Sequence, residues 1–290
     1  MLASVLIYGL VNSVVLILTA LGFSLTFGLS RVANFAHGGL YLLAGYLCWI
    51  LLRVLGLPYA LAIIVAVAAT GVAGALIYRF ILLRVRGIEL SEVIATFAVG
   101  VAILEFFRWA GFVTYEFNLP AFIKGQVQIV GVSIDYQRLF VVGVGIALAV
   151  LLWLFIHHTK TGLALRGIAQ DEHTALTLGI ESDWAAMLSV ALGSALTAIA
   201  ALVILPLGII SINIGYEVLL VAIAVSVLGG LESTVGLIIG GLVLGYSQVI
   251  TATYISPHWT EVVYLLAIVV VLAVRPSGLL GKFKELEERV

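Results

Sequence analysis

The residues of this 290-residue chain that could do chemistry are few and unevenly placed. Asn12 and Thr19 stand seven positions apart in the first apolar run, which puts them on one face of a helix. Arg31, Asn34 and His37 gather where the first two apolar runs meet, followed at once by Gly38-Gly39. Such polar groups can contact a neutral or zwitterionic solute, or satisfy backbone freed where a membrane helix breaks. Plainer readings stay open for both sets. Asn12 and Thr19 can serve as interhelical hydrogen bonds, each worth ~1 kcal/mol. Residues 30–37 can be a cytoplasmic loop, with Arg31 at the headgroups and Asn34 capping the next helix. A second pair, Gly229-Gly230, repeats the pattern GGL-x4-G of Gly38, Gly39 and Gly45, an echo of the kind duplicated transporter halves carry.

Carboxylates offer a second kind of chemistry. Glu105 and Arg108 are spaced to pair with one another. Glu217 opens a short segment after Pro206, Gly208 and Gly215, and Glu232 interrupts LGGLESTVGLIIGG. A carboxylate at a glycine-rich break binds a cation or a substrate ammonium, or caps the helix that follows, as Glu232-Ser233-Thr234 is placed to do. Catalytic sets are missing. The chain contains no G-x4-GK[ST], H-E-x-x-H or C-x2-C. It offers no catalytic or metal-binding group, and uphill transport would need ATP and Mg consumed on another subunit, with no cofactor on this one.

The elements that must position these residues are set by composition. Hydrophobic residues make up 63% and charged residues 10% of the chain, and mean hydropathy is +1.25. These values indicate an all-α polytopic membrane protein, because only helices or closed barrels cross a bilayer and these runs are too long for barrel strands. A net charge of −1 argues against nucleic acid as a partner. Cys48, the sole cysteine, has no partner for an internal disulfide. The N-terminus lacks a basic flank and an A-x-A site, so no cleavable signal peptide is expected.

Apolar segments fall at 4–29, 33–52, 59–83, 92–113, 137–157, 184–208, 215–230, 233–252 and 260–275. They predict eight to ten spans, some discontinuous, in a single transmembrane domain over 1–290. Positive charge clusters at Arg79, Arg84 and Arg86, at Lys160 and Arg166, and at Lys282, Lys284 and Arg289. Placing all three in the cytoplasm is consistent with nine crossings, an external N-terminus and a cytoplasmic tail at 276–290. The external loop 114–136 then carries QVQIVGVSID, whose alternation predicts a short strand or hairpin.

One stretch breaks the oily pattern, the polar interruption at 158–183. Leu165, Ile168, Ala169, Leu176 and Leu178 recur at helical spacing, predicting a helix over 163–178 that begins at Thr161 or Gly162 and is closed by Gly179. An amphipathic helix lying on membrane lipid would be basic on its polar face, whereas this one carries Asp171 and Glu172, which the anionic inner leaflet repels. Docking on a soluble protein fits better.

Four stretches together carry a family resemblance over essentially the whole chain: NSVVLILTALGFSLTFGLSRVANFAHGGLYLLAGY, TGLALRGIAQDEHTALTLGI, LGGLESTVGLIIGG and VRPSGLLG. In these the chain resembles the inner-membrane permease subunits of branched-chain amino acid ABC importers, of the LivH type. The resemblance implies a cytoplasmic coupling helix seated on an ATP-binding subunit, with Gly162, Arg166, Ala169, Asp171, Ala175 and Gly179 at the matching positions and Glu172 beside them. It implies a second related permease, two ATP-binding cassette ATPases and an external solute-binding protein. Three departures fall near the implied path: Gly39 where the family commonly has an acidic residue, an apolar Leu219–Ala224 where a lysine is frequent, and Glu232 where glycine is usual. The expected function is import of branched-chain or hydrophobic amino acids, with Asn12, Thr19, Asn34, His37 and the two Gly-Gly pairs along the path. The alternatives are a permease for urea, short amides or small aromatic or polar solutes, and a stand-alone secondary transporter or channel.

Overall fold

The computed structural model describes residues 1–112, 117–231, 233–275 and 277–281. The chain is an all-α polytopic bundle, and eight helices among the described residues are long and apolar enough to cross a membrane. In order these are α1 (Leu2–Ser30), α3 (Tyr59–Ile77, prolonged to Val85), α5 (Glu89–Trp109), α6 (Tyr136–His158), α9 (Ser182–Ile204), α10 (Ile212–Gly229), α11 (Thr234–Tyr254) and α12 (Thr260–Val274). The last of these reaches 18 residues with the 3₁₀ turn Pro257–Trp259 before it, and a ninth helix, α2 (His37–Arg53, 17 residues), is largely buried among the others. The prolongation of α3 runs through a π-helical turn at Tyr78–Leu82 into a last short helix α4 (Leu83–Val85), a local widening often met at functional positions.

Helices of leucine and lipid tails are equally apolar, so association depends on close packing, and small residues mark the crossings. Helix α1 meets α9 where Gly22 lies against Gly193 and Thr197. It meets α11 where Gly245 lies against Ser13 and Gly241 against Ile17. At one end of the bundle Tyr46, Trp49, Phe107, Phe112 and Phe117 form an aromatic cluster, with ring centroids 4.7–5.9 Å apart. The hairpin read from alternation is present there: β1 (Gln126–Ile129) pairs antiparallel with β2 (Val132–Asp135). Its two turn residues, Val130 and Gly131, both have positive φ, the geometry that matches strand twist. Tyr8 anchors the hairpin to α1 by donating to the Ser133 carbonyl at 2.6 Å.

The predicted cytoplasmic helix over 163–178 is two helices. Helix α7 (Lys160–Gln170) begins two residues before Gly162, capped by the Thr159 hydroxyl, which accepts from the Gly162 N–H at 3.0 Å. The chain then breaks at Asp171 and restarts as α8 (Glu172–Thr177). The reason is local: the Asp171 carboxylate accepts from the Thr174 N–H at 3.1 Å and the Thr174 hydroxyl at 2.6 Å. An aspartate that caps the following residues competes with the helix running through it.

Candidate functional site

Two regions carry the polar chemistry, one inside the bundle and one at its end. Inside, α2 starts deep. His37, its first residue, lies against Thr19 of α1 and Thr197 of α9. Thr19 is eleven residues from the end of α1 and Thr197 fifteen from the start of α9, placing His37 about 16–22 Å inside that end of the bundle. Residues 31–36 therefore re-enter the interior as non-helical chain. Side chains meet part of their backbone: Phe35 N–H donates to the Thr96 hydroxyl at 3.1 Å and Ala36 N–H to the Asn34 side-chain oxygen at 3.1 Å. Discontinuous helices were expected, and α2 is where the interruption falls.

His37 ties three helices together. Its Nε2–H donates to the Thr19 carbonyl at 2.9 Å, and Nδ1 lies 3.1 Å from the Thr197 hydroxyl, which donates to the Gly193 carbonyl of its own helix at 2.7 Å. Phe23 packs its edge on the imidazole, with centroids 5.9 Å apart. Both ring nitrogens are thus in contact with protein groups. The glycines beside it permit close approach: a side chain on Gly38 would meet the Gly215 carbonyl of α10, and one on Gly39 the Gly100 Cα of α5 at 2.9 Å.

Asn12, Gly229 and Gly230, also expected along the path, lie away from His37, whereas Thr19 touches it. Thr19 donates to the Val15 carbonyl of its own helix at 2.8 Å. Asn12 lies toward the hairpin end, where its amide donates to Gln248 Oε1 at 2.7 Å. The pair borders a recess of about 380 Å³ with Tyr8, Arg138 and Thr260. Gly229 packs on Gly236, and Gly230, with φ of 102°, turns the chain out of α10 against Gly281. The sequence echo has no structural counterpart at these glycines, because Gly38-Gly39 opens one helix and Gly229-Gly230 closes another. The Ser233 hydroxyl caps α11 by accepting from Gly236 N–H at 3.0 Å, while Glu232 lies outside the described residues. Glu217, read as opening its segment, sits five residues inside α10 on an exposed face.

At the bundle end the loop 158–183 forms a folded unit. Leu165 is buried with Leu25 and Leu29 of α1 and Ala185 of α9, with Ile168 and Ala169 packed beside it. Gly162 is buried because its α-carbon abuts the Phe155 carbonyl of α6. Ala175, expected at the surface, is 3% exposed and belongs to the interior of the unit. Gly179 closes α8 with φ of 81°, and the Ile180 N–H returns to the Ala175 carbonyl at 3.1 Å, confirming the expected C-cap. The Thr174 hydroxyl and N–H beside Asp171 hold its carboxyl below the usual aspartate range.

Sequence reading missed Arg86. Its guanidinium donates to Glu172 at 2.9 Å and to Ser182 Oγ at 3.1 Å, and it pairs with Asp183. One cation from the loop before α5 thus pins α8 and the start of α9. The partners are 86 and 97 positions away, so no local pattern announces them. Exposed on the unit are Leu163, Arg166 and Gln170 of α7, then residues 171–174 and 176–179, among them Leu176 and Leu178, with Leu178 at 76%. Exposed leucines interspersed with Arg166, Asp171 and Glu172 on a rigid support suit a protein contact.

A bundle of apolar spans, one beginning at mid-depth, joined to a braced polar unit at one end, defines a multi-pass membrane permease. The profile described as "Branched-chain amino acid transport system / permease component" matches residues 5–272. The chain belongs to that family. It is 29% identical to the high-affinity branched-chain amino acid transport system permease protein BraD of Pseudomonas aeruginosa, over 96% of this chain and 95% of that one. Identity is 30% to the permease protein LivH of Salmonella typhimurium, over 91% of each. It is 26% to the probable LivH permease of Methanocaldococcus jannaschii, over 94% and 90%. Among solved structures, PsaBC from Streptococcus pneumoniae in complex with Fab shares the fold, with a TM-score of 0.54 and 13% identity over 96% of this chain and 97% of that one. Members of the family work with a paired permease, ATPase subunits and a solute-binding protein, and the chain is accordingly an ABC importer permease subunit of a multi-pass, inner-membrane kind.

Proposed function

We propose that the chain is a LivH-type permease subunit importing branched-chain or related hydrophobic amino acids. It pairs with a second permease, receives solute from an external binding protein, and is driven by two ATPases. Its N-terminus faces outward and the end bearing α7 and α8 faces the cytoplasm, an orientation supported by Arg84, Arg86, Lys160 and Arg166 gathering at that end.

The observation that carries the reading is the braced unit formed by α7 and α8. Gly162, Ala169, Asp171, Ala175 and Gly179 build it, Glu172 fastens it to Arg86, and Arg166 with the exposed leucines presents the face that meets the ATPase. Movement of the ATPases is then passed through Leu165 to α1 and α9 rather than absorbed by a soft loop. The solute path runs past Asn12 on one side and the mid-depth start of α2 on the other. Asn34, His37, Gly38 and Gly39 fix its wall, while Thr19, Gly229 and Gly230 hold the neighbouring helices at the required spacing.

The test is uptake by proteoliposomes holding either the complete importer or this chain alone. The complete assembly is expected to accumulate leucine only with ATP and binding protein. Leucine uptake by the isolated chain would favour a stand-alone transporter and sink the reading. Accumulation of urea or acetamide, with no leucine uptake, would retain the machinery and replace the solute.

A further inference from the structure

Helix α10 is apolar almost all round, yet Asn213, Glu217 and Leu220 form an exposed stripe along it. Their spacing of four and three residues puts them on one face. Glu217 lies two residues past Gly215, whose carbonyl abuts Gly38 at the mid-depth start of α2. Twelve residues separate it from Gly229, or about 18 Å of helix in a hydrocarbon core about 30 Å thick. The carboxylate is therefore near the middle of the membrane and on the outside of this subunit. Among the described residues it has neither an ion-pair nor a hydrogen-bond partner. Hydrocarbon is the one surrounding that a carboxylate at this depth avoids; such groups face water-filled cavities or protein.

We propose that this face of α10 lines the solute path and that Glu217 receives the ammonium group of the solute. The inference rests on the importer reading and narrows its substrate class. On the same face as Glu217, Leu220 is 48% exposed one turn away and offers an apolar surface for an aliphatic side chain. Among the described residues no three His, Cys, Asp or Glu side chains converge, so one carboxylate here lacks the oxygen cage a metal cation needs, and an organic cation fits. Urea and short amides carry no positive group and offer Glu217 only neutral N–H donors, without the charge attraction an ammonium adds. A hydrophobic amine or amino acid supplies that attraction.

The test uses N213C, one helical turn from Glu217, in the complete importer in nanodiscs, with the buried Cys48 replaced by alanine. Water-soluble methanethiosulfonate reagents should label this thiol, since thiolates form in water and not in lipid. Leucine and 3-methylbutylamine should slow labelling about tenfold, a difference of ~1.4 kcal/mol in occupancy, and 4-methylpentanoate, which lacks the ammonium, should not. Adding E217Q should abolish the protection while labelling itself persists. A thiol unreactive in the assembled importer would place the stripe against lipid or the second permease and overturn the proposal. So would labelling that neither amine slows, or protection that survives E217Q. Leucine uptake by the wild-type importer is measured in parallel. Its absence, with amine protection intact, would refute the amino-acid import reading and leave the Glu217 site standing.

Discussion

The start of α2 and the unit formed by α7 and α8 solve opposite problems. In the bundle interior the chain leaves helical geometry at 31–36, and Asn34, Thr96, Thr19 and Thr197 supply the partners of His37 and of the Phe35 and Ala36 N–H groups. No water is available there to repair an unmet hydrogen bond. At the bundle end water is plentiful, so the loop needs no such closure to survive. It is nevertheless braced, by the Thr159 and Asp171 caps, the buried Leu165 and the Arg86 fork, and then leaves leucines uncovered. A segment that only joined two spans would have the reverse character. The contrast separates residues that hold the protein together from residues that wait for something else.

The interior should break hardest. A leucine at Gly38 drives its side chain into the Gly215 carbonyl, and we expect no correctly inserted protein, measured as loss of a monodisperse peak after detergent extraction. H37L removes both polar contacts that tie α2 to α1 and α9, while the Thr197 hydroxyl keeps the Gly193 carbonyl; a loss of about 2 kcal/mol should appear as a lowered thermal unfolding midpoint. At the bundle end the effects on folding are smaller. R86Q breaks pairs whose side chains are 33–60% exposed, so stability should fall by less than ~1 kcal/mol. Hydrogen exchange in 172–183 should nonetheless rise, and equal exchange in both proteins would remove Arg86 from the bracing.

The smallest effect expected is a pH dependence. The folded carboxyl of Asp171 titrates below its unfolded value, so the cap is complete above the ordinary aspartate range near ~3.9 and is lost as pH falls through the lowered folded value. Protection of the Thr174 amide, corrected for intrinsic exchange, should be flat from pH 7 to about 5 and fall only in stronger acid.

Much of this was legible beforehand because apolar length is a strong signal. The run at 137–157 became Tyr136–His158, and that at 233–252 became Thr234–Tyr254. The hairpin was legible through strict alternation about Val130-Gly131. Depth was not, since residues 33–52 read as a span without revealing that His37 starts it at mid-membrane. The break at Asp171 was hidden because a D-x-x-T cap lay inside an unbroken helical pattern. The resemblance places Ala175 on a helix seated against the ATPase, but its burial inside the unit depends on how α8 folds back, which no local pattern shows. The direction of Glu217 was invisible because α10 is too uniformly apolar to show which face is in.

The central claim is that the exposed face of α7 and α8 receives the ATPase and transmits its motion. The direct measurement is leucine uptake and ATPase activity of the reconstituted importer carrying R166E and L178D together, both on that face and neither in the bundle. Unfolding of the isolated permease should be unchanged, within ~0.5 kcal/mol as for exposed substitutions generally. Uptake and its stimulation of ATP hydrolysis by loaded binding protein should both be lost. Wild-type uptake with wild-type stimulation in the double variant would contradict the account.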